Sequence, residues 1–242
     1  FVDAEQVTLH HSHCALFEFA LKAAMTGPVC LAGFAANTVC FMGLWRERRF
    51  SPSTFLIQAI VIADFAVLWM LFVGESLPAL GYVIPVLRDC SAVCGYVKAV
   101  SRPLLFLSHV CVAWFTTMAA VNRYIVMSKP AQADAVSSVD YARKRVIVIT
   151  LCAVLLTLPL TFDTALTLNY HSGDDHIRHE TLSQNHWYRL LYVHATIVLL
   201  VYVIPMATLS FVALRLWCIL SALRRLRRAV AATYRTQHMD ST

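Results

Sequence analysis

The chain has 242 residues, of which 59% are hydrophobic and only 14% charged, with a formal net charge of +6 and a mean hydropathy of +0.63. So few charged groups cannot wet the surface of a globular domain of this size, which excludes an ordinary soluble protein and leaves the bilayer as solvent. The positive balance does not argue for nucleic acid. Most of it sits in short clusters beside apolar runs, where it would meet the cytoplasm and anionic lipid headgroups.

In chain order, residues 1–22 read as a tail that turns apolar near Ala15. A first apolar run, 23–45, contains no Asp, Glu, Lys or Arg and is followed by a tight basic loop with Arg46, Arg48 and Arg49. A second, 53–78, holds Asp64 in its apolar stretch and breaks near Pro78. A loop is expected from about Gly81 to Ser101. The third run, 102–127, is uncharged from Pro103 to Asn122 and leads into a polar loop with Pro130, Asp134, Ser137 and Ser138. The fourth, 146–163, is short, with a basic start at Arg143, Lys144 and Arg145. The polar stretch from Asp163 to Arg189, rich in Asp and His, is expected to be a loop. The fifth, 189–216, contains Pro205, which predicts a kink or local unwinding in a membrane helix. Each run approaches or exceeds the roughly 20 residues that a helix needs to cross hydrocarbon. The expectation is an all-α membrane protein: a transmembrane helix bundle over 1–220 with five spans, and a basic cytoplasmic segment over 221–242.

Lysine and arginine orient the bundle. Fourteen of the 20 basic residues lie after the first span, between the third and fourth, or after the fifth. Those segments are read as cytoplasmic, which puts the N-terminus outside the cell. The chain starts at Phe1 and continues only briefly past the fifth span, so a fragment of a longer membrane protein is expected.

Few residues in the spans carry chemistry. A carboxylate at bilayer depth is costly, so Asp64 should face the bundle interior and bind water, a cation such as sodium, or a polar side chain. Asn37, midway along the first span, is its natural partner, and a plain interhelical hydrogen bond is the alternative. Arg123 ends the third span between Asn122 and Tyr124, where a guanidinium can reach water or a neighbouring helix; a positive-inside anchor is the simpler account. Cys30, Cys40, Cys111, Cys152 and Cys218 fall in or beside spans and are expected to be reduced and buried. Cys14, Cys90 and Cys94 lie where disulfides are allowed. "HHSHC" at His10 to Cys14 and the loop with Asp174, Asp175, His176 and His179 have metal-ligand residue types without paired zinc spacing, so solvated polar segments are expected. Tyr188, Tyr192 and Asp163 are candidate ligand contacts, while Trp187 reads as an interfacial anchor. "RRLRR" at Arg224 to Arg228 would meet a G protein or anionic lipid, or would simply be solvated. No nucleophile, base and orienting acid fall together, so neither enzyme activity nor a cofactor is expected.

The order of these features resembles a rhodopsin-family (class A) G-protein-coupled receptor. The carrying stretches are "CLAGFAANTVCFMGLWRERRF" in span one, "STFLIQAIVIADFAVLW" with Asp64 in span two, "VNRYIVMSKP" closing span three, and Pro205 in span five. Within that family the chain is similar to invertebrate FMRFamide-type neuropeptide receptors. "FEF" at Phe17 to Phe19, "LPLTFD" from Leu158 to Asp163, "NHWYRLLY" from Asn185 to Tyr192, and Tyr202 three residues before Pro205 carry that likeness. The resemblance implies seven spans, of which five are present, and a plasma-membrane receptor. It also implies a peptide ligand outside, a heterotrimeric G protein inside, and Asn122, Arg123 and Tyr124 as the coupling residues. The third run has no acid from Gly95 to Asn122, where a monoamine receptor would be expected to hold an ammonium.

The departures from that pattern are specific. Ala36 stands where the family has Gly, Asn122 where it has an acid, Thr150 where it has Trp, and Ala213 where a polar residue is expected after Pro205. The stretch Asp163 to Arg189 contains no cysteine, so the family's bridge from the third helix to that loop cannot form. By the resemblance, losing the acid before Arg123 removes a local ion pair and would raise basal activity, but Asn is also common at this position in the FMRFamide-type subgroup. Two rival readings stand beside the receptor: a truncated, non-signalling receptor isoform, and a transporter or channel subunit built around Asp64. The second needs a polar path, for which the spans supply little besides Asn37, Ser108 and Thr116.

Overall fold

A single chain segment in hydrocarbon must satisfy its backbone N–H and C=O groups internally, which selects the helix. The computed structural model describes residues 19–46, 51–84, 91–128, 138–172 and 197–239, which are helical almost throughout and contain no strand. Helix α1 is Phe19–Arg46 and α2 is Pro52–Ala79, the latter closed by a 3₁₀ turn at Leu80–Tyr82. Helix α3 is Ser91–Ser128 and α4 is Val139–Ser172. Helix α5 runs from a π segment at Val198–Val203 into an α-helix at Ile204–Met239. The chain is a multi-pass all-α membrane protein: five helices are each long and apolar enough to cross a bilayer.

Local chemistry sets several boundaries. Ser51 caps α2 by accepting the Thr54 N–H at 3.2 Å, and Pro52 occupies the first helical turn, where its missing N–H costs nothing. Helix α3 already begins at Ser91, inside the expected loop, and α4 continues to Ser172, beyond the expected end of its span. Lys98, Arg102 and Asp163 end the apolar window, but charged residues do not end a helix. The bilayer limits the apolar length, not the helical length.

Helix α3 is the centre of the bundle, in contact with α2, α4 and α5, while α1 packs on α2. The core joins Ala63 of α2, Val110, Cys111 and Phe115 of α3, Ala153 of α4 and Val201 of α5. Outside it the surface is overwhelmingly apolar. Leu155 is 65% exposed and Leu214 67%, both in the middle reaches of their helices. Such a surface would aggregate in water and is ordinary against lipid tails. Trp45 and Trp217 also point outward, next to Arg46 and Arg215, as aromatic residues do at a membrane interface. An apolar groove of about 300 Å³ runs between α3, α4 and α5, lined by Val110, Trp114, Ile149, Leu156 and Leu200 among others.

Three helices share a local irregularity. Alpha-helical bonding widens to the π register at Phe19–Thr26 in α1, Phe72–Ser76 in α2 and Val198–Val203 in α5. Each π segment ends two residues before a proline: Pro28, Pro78 and Pro205. A proline withdraws one N–H, and its ring crowds the carbonyl four residues back, so the turn before it opens. The residue preceding the proline then reaches five back instead of four: Leu77 N–H bonds the Phe72 carbonyl, and Ile204 N–H bonds the Leu199 carbonyl. In α1 the Thr26 hydroxyl donates to the Leu21 carbonyl, also five back, at 2.9 Å. Pro103 and Pro159 lie within α-helix, so a proline permits the wider register without dictating it.

Candidate functional site

The antiparallel helices give the bundle two ends. One, the arginine-rich end, gathers Arg46, Arg123, Arg143, Lys144 and Arg215; the other, the far end, gathers Lys22, Glu75 and Asp163. Polar side chains cluster at three levels between them.

At the middle level Asp64 sits half-buried on α2. Its neighbour Ala63 packs in the same core as Val110 of α3, which brings Asp64 within electrostatic reach of His109. The His109 ring in turn lies 6.4 Å from the Tyr202 ring of α5. Asn37 is half-buried on α1, and no described residue, Asn37 included, hydrogen-bonds to Asp64. The α1–α2 interface near Asn37 is aromatic instead: Phe34 stacks on Phe65 at 6.0 Å and meets Trp69 edge-on at 6.3 Å. Among the described residues no group of three or more His, Cys, Asp or Glu comes together for a metal.

At the arginine-rich end the last turns of α3 split their side chains. Asn122 is buried at 5% exposure, whereas Arg123 points out to solvent and Tyr124 is half-buried. Arg123 makes no ion pair or hydrogen bond with a described residue. The carbonyl of Tyr124 accepts the Ser128 hydroxyl at 2.6 Å. One turn before Asn122, Met118 offers its sulfur to Arg145 of α4 at 4.0 Å. Arg145 is held by Tyr141, whose hydroxyl it donates to and whose ring centre lies 4.1 Å from its guanidinium carbon. A cation of α4 therefore rests on the same face of α3 as Asn122.

At the far end Lys22 of α1 and Glu75 of α2 form an ion pair at 3.2 Å, each side chain about a quarter exposed (27% and 26%). Beneath it α2 and α3 touch closely: a Cβ on Gly74 would lie 2.1 Å from the Ser101 hydroxyl oxygen. The Ser101 hydroxyl donates to the Lys98 carbonyl at 3.0 Å. Ser76 is buried at 1% exposure, and its hydroxyl has no hydrogen-bond partner among the described residues. Asp163 is half-buried near the end of α4. Tyr188, Tyr192, Trp187, Cys14, Cys90 and the two His-containing stretches lie outside the described residues.

The cysteines divide. Cys30 and Cys111 are buried as expected, but Cys40, Cys152 and Cys218 are exposed on outward helix faces; against lipid, a thiol on the surface is as well solvated as one in the core. Among the described cysteines there is no disulfide. Sequence reasoning missed His109, Lys22 and Glu75. A lone histidine in an apolar run carries no periodic signal, and the pairing of Lys22 with Glu75 depends on which turns of two helices meet. The one available clue was that both charges lie close to prolines within apolar runs.

No protein-family model matches the chain, and no curated protein matches it.

Proposed function

We propose that the chain is the membrane core of a rhodopsin-like G-protein-coupled receptor. It takes a peptide at the far end of the bundle, outside the plasma membrane, and passes the signal to a heterotrimeric G protein at the arginine-rich end. The observation that carries this reading is the arrangement of Asn122, Arg123 and Tyr124. They close the central helix, with Asn122 buried against the bundle and Arg123 beside it, exposed and without an ion pair to any described residue. A cation poised in this way at the end of the helix that touches α2, α4 and α5 is positioned to respond when those helices shift. Ligand binding then acts as a population shift, favouring the helix arrangement in which the Arg123 surface accepts the G protein. An apolar α3, with no carboxylate from Gly95 to Asn122, favours a peptide over a small amine. Asp163, with Asp174, Asp175 and Glu180, would steer a basic peptide toward the mouth.

A transport reading is weakened by the hydroxyls. Ser108 and Thr116, which a polar path would need, instead donate to the Leu104 and Val112 carbonyls of their own helix at 2.8 Å. The receptor reading is tested with Arg123→Ala in the full-length protein, measuring nucleotide exchange on the G protein and surface expression together. The expected result is loss of exchange with normal expression. Undiminished exchange would remove Arg123 from the mechanism and the reading with it.

A further inference from the structure

Two of the three π segments face each other. Those of α1 and α2 are in contact at the far end, and the Lys22–Glu75 ion pair connects them: Lys22 lies inside Phe19–Thr26 and Glu75 inside Phe72–Ser76. A π segment is a marginal state. It holds an extra residue in the turn and sits close in energy to the ordinary α register, and such bulges recur where helices change shape. Several features weaken the local alternatives here. Pro28 and Pro78 withdraw donors, the buried Ser76 hydroxyl bonds to no described residue, and Gly74 lets Ser101 enter the contact between helices. A partly buried ion pair is worth more than an exposed one because less water screens it. This pair also acts between two segments that each have a second register to fall into.

We propose that Lys22 and Glu75 form a latch that holds the far ends of α1 and α2 in the π register. With the pair closed, both helices keep their wide turns. With it open, either helix can return to four-residue bonding. Removing one residue from a turn rotates everything beyond it by roughly 100°, which would carry Lys22 and Glu75 apart. The two registers are thereby coupled: a change in one helix releases the other. A charged group arriving at this end and competing for Glu75 or Lys22 would open the latch. The device stands whether or not the chain signals to a G protein.

Amide hydrogen exchange of the whole chain in lipid nanodiscs tests this, with Lys22→Glu, Glu75→Lys and the double swap. Each single reversal is expected to speed exchange at both 19–26 and 72–76 by about tenfold. The double swap is expected to bring both back to within about threefold of the native rates. The π segment Val198–Val203, which no ion pair among the described residues crosses, is the internal reference and should not change. Acceleration confined to the helix that carries the substitution overturns the latch. So does a double swap that adds to the single effects, or a rise shared equally by 198–203, which would mean that the charges only support the fold in general.

Discussion

A single hydrogen atom decides the contact at Gly74. Replacing it with a methyl puts carbon 2.1 Å from the Ser101 oxygen, a separation that must be relieved by moving one helix or turning Ser101 off its bond to Lys98. Gly74→Ala is therefore expected to cost about 1–3 kcal/mol, read as a lower melting temperature in detergent. Adding Ser101→Gly to the same chain should recover most of the loss. By contrast Gly27, Gly43 and Gly95 have open space where a Cβ would go, and alanine there should be nearly neutral. Not all of this level was legible in the sequence. Asp64 and Arg123 could be picked out because a charge in or beside an apolar run is rare and costly. Gly74 could not, because its role depends on Ser101 lying opposite, and nothing local to either residue records the other. For the same reason the sequence pairs Asp64 with Asn37, whereas the side chain that the structure brings within electrostatic reach of Asp64 is His109, across the α2–α3 seam.

At the level of the element, the five helices were readable from apolar length alone, while their ends and their internal register were not. Hydropathy reports where lipid stops, so α3 and α4 were read short at ends that lie beyond the hydrocarbon. Pro205 marked a disturbance in α5 without saying which kind. The structure has a widened turn in which Ile204 bonds to Leu199, a register that the proline's absent N–H and its ring permit. Pro205→Ala restores both the donor and the room. The Ile204 N–H is then expected to move to the Leu200 carbonyl, and exchange across 198–203 should slow by about tenfold. Unchanged exchange would show that packing against α3, not the proline, maintains the π register.

For the whole molecule, the consequence of so apolar an exterior is an inverted tolerance to charge. Leu155 is 65% exposed, a position where a soluble helix would accept arginine readily. In this bundle it faces hydrocarbon, and Leu155→Arg is expected to disfavour insertion of α4 by about 3–4 kcal/mol, measurable as a reduced inserted fraction in microsomes. Full insertion of that variant would contradict the bilayer as solvent. This scale was the most legible in the sequence, because composition and the spacing of apolar runs are whole-chain properties that no single contact can overturn. One further consequence follows from the length of α5. Its α-helix runs on from Ile204 to Met239 without a break, so the part beyond Pro205 is an arm about 50 Å long. A tilt of only about 10° at that pivot would sweep its tip through roughly 9 Å, turning a shift of about 1 Å near Val201 into a displacement approaching the width of a helix.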